Sequence, residues 1–285
     1  MTKVLIVGAS GMLGNAALRL FAHSEGFSAV GTVRSARAAR LLPAELQPFL
    51  IDGVDVDQYD SLARGIDMAR PDVVINCVGV VKQLAAADDP LTALPLNALL
   101  PHRLARLCGI AGARLVHVST DCVFSGAKGR YLESDFPDAH DLYGRSKYLG
   151  EVDYPQAVTL RTSIIGHELE GARSLLCWFL AQREGIRGYT RAVFSGLPTV
   201  ELARVIRDFV LPTPELRGLY HVSSAPISKY DLLQLLAQAY GKSIDIAPDD
   251  QLVIDRSLNS ERFRAATRYT PPEWPELVRR MREFG

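Results

Sequence analysis

The sequence predicts an α/β protein: a Rossmann-type doubly wound parallel sheet with a smaller C-terminal α/β part. Three observations carry this. Short Val, Ile and Leu runs recur without polar alternation, as strands covered on both faces require. The amphipathic stretches between them are long enough to serve as right-handed crossovers. A glycine-rich turn directly follows the first run and leads into a helical pattern.

In chain order, Val4 to Val7, Ser28 to Val33, Phe49 to Ile51, Val73 to Val78, Leu115 to Ser119 and Val158 to Arg161 read as six parallel strands. Asn15 to Phe21, Asp60 to Ala69, Pro95 to Ala111 and Tyr143 to Glu151 read as helices between them. Residues 1–165 then make the dinucleotide-binding domain and residues 166–285 the substrate-binding domain. Beyond Gly166, Leu175 to Gln182 reads as a helix and Tyr189 to Phe194 as an extended piece. A further helix, Val200 to Val210, is expected to pack back onto the first domain. Gly218 to Ser223 reads as a strand, and Lys229 to Tyr240 as a helix with Ser228 as N-cap and Asp231 at N3. Pro271, Pro272 and Pro275 punctuate a last short helix, Glu276 to Glu283, expected at the surface.

Composition narrows the function classes. Across 285 residues, 48% apolar content is enough for a full core. Lysine plus arginine equals aspartate plus glutamate at 32 each, so no electrostatic case exists for nucleic acid or an anionic membrane. Cys77, Cys108, Cys122 and Cys177 show no C-x-x-C pair, which fits reduced thiols in a cytoplasmic protein. His117, His167 and His221 lack ligand spacing, so no metal is expected, and His117 reads as a satisfied core histidine.

Gly8, Gly11 and Gly14 fall at i, i+3 and i+6 in the turn after the first strand, with Ser10, Met12 and Leu13 between them. A turn without Cβ atoms lets backbone N–H groups and a helix N-terminus approach a dinucleotide pyrophosphate. The competing reading is a glycine-rich turn that binds nothing. Cofactor choice is read at the end of the second strand. In NAD enzymes an acidic residue about 20 positions beyond the glycines bonds the ribose 2′-hydroxyl. Arg34 stands there instead, and a guanidinium suits the 2′-phosphate of NADPH, with NADH as the alternative. Arg34 and Arg37 as plain solvated charges are the rival view.

Tyr143 precedes Lys147 by four on a helical stretch, so both side chains share one face. A free tyrosine has a pKa near ~10, and an adjacent ammonium favours the phenolate. A surface Tyr/Lys pair of no consequence would show the same spacing. Ser119 and Thr120 end a central strand, where polar side chains reach the ligand crevice or simply cap the strand.

Taken in order, several segments resemble the extended short-chain dehydrogenase/reductase superfamily. They are Gly8 to Gly14, Ser119-Thr120-Asp121-Cys122-Val123-Phe124, Lys128-Gly129, Tyr143-Gly144-Arg145-Ser146-Lys147 with Gly150-Glu151, Leu160-Arg161-Thr162, and Gly196-Leu197-Pro198-Thr199. Within the superfamily the chain is most similar to the dTDP-4-dehydrorhamnose reductase-like nucleotide-sugar 4-keto reductases. The resemblance spans Thr2 to Ser223.

It implies NADPH-dependent reduction of the keto group of a nucleotide-activated 4-keto-6-deoxyhexose. Tyr143 is then the proton donor, Thr120 the hydrogen-bond partner of the carbonyl, and Lys147 the group that lowers the Tyr143 pKa and binds the nicotinamide ribose. Asp55 and Val56 would meet the adenine, and Cys77, Val78 and Gly79 would line the nicotinamide side. Asn97 would lie near that crevice or satisfy buried backbone groups.

For the sugar and its diphosphate the resemblance implies contacts from Asp121, Cys122 and Val123, from the stretch Val80 to Gln83, and from Trp178 to Arg191. Lys82, Arg187 and Arg191 are its phosphate candidates, and Trp178 either stacks on the substrate or belongs to the core. The chain departs from the family at Cys122, where a tyrosine is usual. Two alternatives stand beside this reading: a nucleotide-sugar 4-epimerase or dehydratase with tightly bound NAD, and a non-catalytic NADP-binding regulatory subunit. A homodimer fits the family, though no stripe in the sequence locates its face.

Overall fold

The computed structural model describes every residue except Val81, Gln83 and Leu84. Its centre is a sheet of seven parallel strands: β1 (Thr2–Val7), β2 (Phe27–Thr32), β3 (Leu50–Ile51), β4 (Val73–Asn76), β5 (Arg114–Thr120), β6 (Ala157–Thr162) and β7 (Gly218–His221). Their order is β7-β6-β5-β4-β1-β2-β3, so the winding direction reverses between β1 and β4. Ligands bind at such a switch point, outside the carboxyl ends of the strands. Register shows how that edge is shaped. Asn76, the last residue of β4, sits opposite His117, and β5 runs three residues further to Thr120. The end of β5 therefore projects beyond its neighbour into the crevice.

The principal helices are α1 (Met12–Ala22), α2 (Tyr59–Ala69), α3 (Leu100–Ala111), α4 (Leu142–Leu149), α5 (Leu175–Ala181), α6 (Thr199–Val205), α7 (Lys229–Tyr240) and α8 (Trp274–Phe284). Strand residues alternate between two apolar layers. Val4 and Ile6 join a core with Leu18, Phe21, Leu202, Ile206, Leu232 and Leu277, whereas Leu5 and Val7 join Leu62, Leu100, Leu104 and Leu115. Each fully buried aliphatic side chain contributes about 1.5–3 kcal/mol of transfer free energy, so β1 alone is a strong anchor. The first layer includes α6, α7 and α8, so residues beyond 166 share one face of the sheet with α1. They also supply its seventh strand, Gly218–His221, beside β6.

The structure departs from the sequence expectations in several places. The fourth strand stops at Asn76 rather than Val78, because the Asn76 side chain accepts from Val78 N at 3.1 Å and turns the chain. The helix expected from Pro95 begins at Pro90 and contains a π-helical stretch, Leu94–Leu99, before α3. Tyr189 to Phe194 is two strands, Ile186–Tyr189 and Ala192–Phe194, separated where Thr190 N donates to Asp249 O. The last helix is a core element. Trp274, Leu277, Val278 and Met281 are buried, and Arg280 pairs with the buried Glu201 of α6 at 2.9 Å. The Ser228 cap of α7 is as expected: its Oγ accepts from Asp231 N at 3.0 Å. No described helix is long and apolar enough to cross a membrane.

Candidate active site

The turn after β1 is built around two glycines. Gly8 has φ +89°, and a Cβ there would stand 2.7 Å from Val78 Cγ2. A Cβ on Gly14 would stand 2.1 Å from the Gly8 carbonyl oxygen, so α1 can start this close to the turn only without one. Gly8 N and Ala9 N are tied to Thr32, at its Oγ1 and its carbonyl. The amides of Ser10, Met12 and Leu13 have no partner among the described residues, and Gly11 gives α1 no side-chain cap. Uncapped amides at the N-terminus of an 11-residue helix form an anion cradle.

Arg34 lies just past β2, exposed and without a hydrogen bond or ion pair among the described residues. Arg37, by contrast, is paired with Glu170 at 3.2 Å. Asp55 and Val56 follow β3 on the same carboxyl edge. The Asp55 carboxylate accepts from Asp57 N at 3.1 Å and so shapes its own turn, while Val56 packs against the second apolar layer. Cys77 and Val78 lie between β4 and the glycine turn, and burial pushes the Cys77 thiol up to about 12.

On the other side of the switch point, β5 and α4 bring Thr120, Tyr143 and Lys147 together. Thr120 Oγ1 accepts from Cys122 N at 3.1 Å, which folds the 120–123 turn back toward α4. A Cβ on Gly144 would stand 2.3 Å from Cys122 O, so helix and turn are in direct contact. The Thr120 hydroxyl, which donates to Asp121 Oδ1 at 3.2 Å, also lies beside the Tyr143 phenol. Lys147 is 5% exposed, and its Nζ donates to Val118 O at 3.0 Å.

Burial draws the Lys147 pKa down to about 8, and the nearby Glu151 works in the opposite direction. The Tyr143 phenol departs from the sequence expectation. Burial, then Cys122, holds its phenol above the ordinary tyrosine value, and Lys147 is not among the groups that lower it. The depression expected from the i, i+4 spacing is therefore absent in the chain alone.

Asn97 sits in the π-helical stretch, where a widened turn re-aims side chains. It is fully buried, accepting from Val80 N at 2.9 Å and donating to Ser146 Oγ at 3.1 Å. It thus clamps the 77–80 segment to α4. Its carbonyl would be 1.9 Å from a Cβ on Gly150, which accounts for glycine at the end of α4. His117 also departs from the expectation of a satisfied core histidine. Its Nδ1 is 3.1 Å from Asn76 Nδ2, but the buried Nε2 has no partner among the described residues.

Among the expected substrate contacts, Val80 is buried beside Asn97, and Lys82 donates to Asp141 Oδ2 at 2.6 Å. Val81 and Gln83 of the same stretch lie outside the described residues. Asp121 is buried, Val123 belongs to a small apolar cluster, and burial pushes the Cys122 thiol up to about 12, which removes it as a thiolate nucleophile. Trp178 is 37% exposed on α5, outside the core. Arg187 is exposed and 3.6 Å from Asp249, and Arg191 is exposed at the start of the strand Ala192–Phe194.

Two cations that the sequence did not single out come closer to the turn. Arg256 donates from Nε to Phe124 O at 2.7 Å. Lys229, at the start of α7, faces Asp121, Cys122 and Arg256, and burial lowers its pKa. No local pattern marks either residue; both follow short strands, Ile227–Ser228 and Ile254–Asp255, that pair with opposite edges of Ala192–Phe194.

The family described as RmlD substrate binding domain matches residues 1–281. The chain is 30% identical over 251 residues to methionine adenosyltransferase 2 subunit beta of Danio rerio, covering 84% of this chain and 74% of that protein. It is 32% identical over 170 residues to dTDP-4-dehydrorhamnose reductase of Mycobacterium tuberculosis, covering 56% of this chain and 49% of that one. The crystal structure of dTDP-4-dehydrorhamnose reductase from Bacillus anthracis in complex with NADP superimposes with a TM-score of 0.80 at 22% identity, covering 99% of this chain and 98% of that one.

Proposed function

The chain belongs to the RmlD substrate binding domain family, and from that premise we propose that it is an NADPH-dependent reductase acting on the keto group of a nucleotide-activated 4-keto-6-deoxyhexose. The observation that carries this reading is the convergence of Thr120, Tyr143 and Lys147 beside the glycine cradle, at the one place where the sheet changes winding direction. The cradle fits a dinucleotide: Gly8 and Gly14 hold backbone where a Cβ would collide, and the free amides of Ser10, Met12 and Leu13 face the pyrophosphate position. Arg34, exposed and unpaired among the described residues, supports NADPH over NADH through its charge and paired N–H donors. When bound, NADPH supplies the hydride.

The residues of the chain do the rest. Thr120 and Tyr143 hold the substrate carbonyl oxygen. Tyr143 gives it the phenolic proton, and the burial that holds its pKa up ensures that the proton is there to give. Lys147, as an ammonium one turn along α4 from Tyr143, opposes the cost of the phenolate that forms. Lys229 and Arg256, next to Asp121, supply positive charge on the far side of the turn, where the sugar nucleotide carries its phosphates. Cys122 leaves room where relatives carry a tyrosine ring, so the sugar seated there can be bulkier.

Consumption of NADPH and NADH with dTDP-4-keto-6-deoxyhexose, with Tyr143→Phe alongside, tests the proposal. Turnover that prefers NADPH and collapses in the variant is the expected result. NADPH binding without turnover of any 4-keto sugar would overturn it. A regulatory reading is favoured by one observation, the similarity over most of the chain to methionine adenosyltransferase 2 subunit beta. It would prevail if Tyr143→Phe left the protein's cellular effect intact.

A further inference from the structure

Behind the reaction end lies a buried ion pair that the proposed mechanism does not use. Glu151 lies two residues past the end of α4, and the charged groups of Lys147 and Glu151 meet adjacent residues of β5, Lys147 Nζ at the Val118 carbonyl and Glu151 at the Ser119 hydroxyl. Its Oε1 accepts from Ser119 Oγ at 2.8 Å and from Arg161 Nε at 2.6 Å, and its Oε2 accepts from Arg161 Nη2 at 2.6 Å. The Arg161 side chain is 2% exposed and that of Glu151 9%. The Arg161 guanidinium lies 5.0 Å from the Phe124 ring centroid, and its Nη1 is 3.3 Å from His221 Nε2. His221 Nδ1 in turn meets Tyr131 O at 3.1 Å, and its backbone N–H donates to Glu133 Oε1 at 2.8 Å. One carboxylate therefore touches the residue before Thr120 and orders, through Arg161, the ring that ends the 120–124 turn.

Burying two charges costs several kcal/mol per ion, and an apolar pair of similar volume serves as well or better where only packing is required. The pair stands where electrostatics has a use. Lys147 is buried, and the groups around it from every packed element are the Val118 carbonyl and His117 on β5, Gly79 and Asn97 across the crevice, Tyr143 on its own helix, and Glu151. Among these described neighbours Glu151 is the anion. His117 is held neutral by burial.

We infer that Glu151 is a positioning residue of the reaction end, anchoring Ser119 and the Thr120 turn through Arg161 and keeping Lys147 an ammonium with its negative charge. The role of Lys147 in nucleotide binding rests on the proposed function; the electrostatic coupling of Glu151 to Lys147 does not.

Two variants separate this from a plain structural plug: Glu151→Gln, and the apolar double substitution Glu151→Leu with Arg161→Met, which keeps the volume filled should the single variant fold poorly. The full chain, carrying 13C at the lysine ε carbon, is titrated by NMR. NADPH affinity is measured at pH 6 and pH 8. Lys147 is expected to lose its proton at lower pH in both variants. NADPH should bind roughly fivefold more weakly at pH 8 and equally at pH 6. A folded double variant in which Lys147 titrates as in the parent protein would overturn the inference and leave the pair as packing. A moved Lys147 titration without any change in NADPH affinity would support the coupling and count against the cofactor role of Lys147.

Discussion

The two ends of the crevice are made by opposite means. At the proposed nucleotide end, the site rests on side chains that are missing: Gly8 and Gly14 leave backbone bare, and Arg34 stands in solvent. At the reaction end it rests on polar side chains taken out of water, with Lys147, Tyr143, Asp121 and Cys122 all displaced from their ordinary pKa values by burial. The difference teaches where each end is vulnerable. A backbone cradle fails by steric collision, whereas a buried polar cluster fails when a charge or proton is lost.

Four measurements test the contrast between the two ends. Tyr143→Phe removes one oxygen from the reaction end and should lower turnover about 10³-fold, within the range of lost acid catalysis, with NADPH affinity unchanged within about threefold. A parallel loss of affinity would mean that the two ends are not separable. Gly14→Ala places a methyl group 2.1 Å from the Gly8 carbonyl, which cannot swing aside. NADPH binding followed by fluorescence should weaken by on the order of 100-fold, while the fold persists by circular dichroism.

Arg34→Ala should weaken NADPH about tenfold and leave NADH unchanged, since an exposed charged contact contributes only part of its full value. Equal loss for both nucleotides would remove the 2′-phosphate assignment. The smallest effect is in pH. Lys147 titrates at about 8 in the folded chain against 10.5 for an ordinary lysine, so between these values the unfolded chain holds the extra proton. The Lys147 contribution to urea stability, read as the difference between the parent chain and Lys147→Met, should therefore rise from pH 8 to 10.5, against the opposite contribution of the buried Cys77, Cys122 and Tyr143, while NADPH affinity falls. NADPH affinity that stays level over this range would mean that the ammonium is not what the nucleotide needs.

Much of the cradle was legible because local chemistry dictates it. Three glycines between an apolar strand and a helix allow few other structures, and Ser228 with Asp231 announced the start of α7 in the same way. The Tyr143 and Lys147 spacing correctly placed both on one helix, yet it misread their electrostatics. Spacing gives neighbourhood along a helix, but a pKa depends on everything packed around it, and the packing came from β5 and the 120–123 turn. His117 was misread for the same reason: its partner Asn76 belongs to another strand, and its empty Nε2 is a matter of surroundings. The final helix was expected at the surface because its sequence is charged, whereas its apolar stripe of Trp274, Leu277, Val278 and Met281 found the sheet.

By itself the sequence determined the doubly wound class, the places of the first six strands along the chain, the glycine turn and the identity of the residues at the end of β5 and on α4, because each depends on patterns within a dozen or so residues. Only the tertiary structure decided that Gly218–His221 completes the sheet, that Lys229 and Arg256 reach the Thr120 turn, and that Glu151, Arg161 and Ser119 share one carboxylate. Those contacts join residues far apart in the chain, and burial, which sets their charges, exists only once the layers have closed.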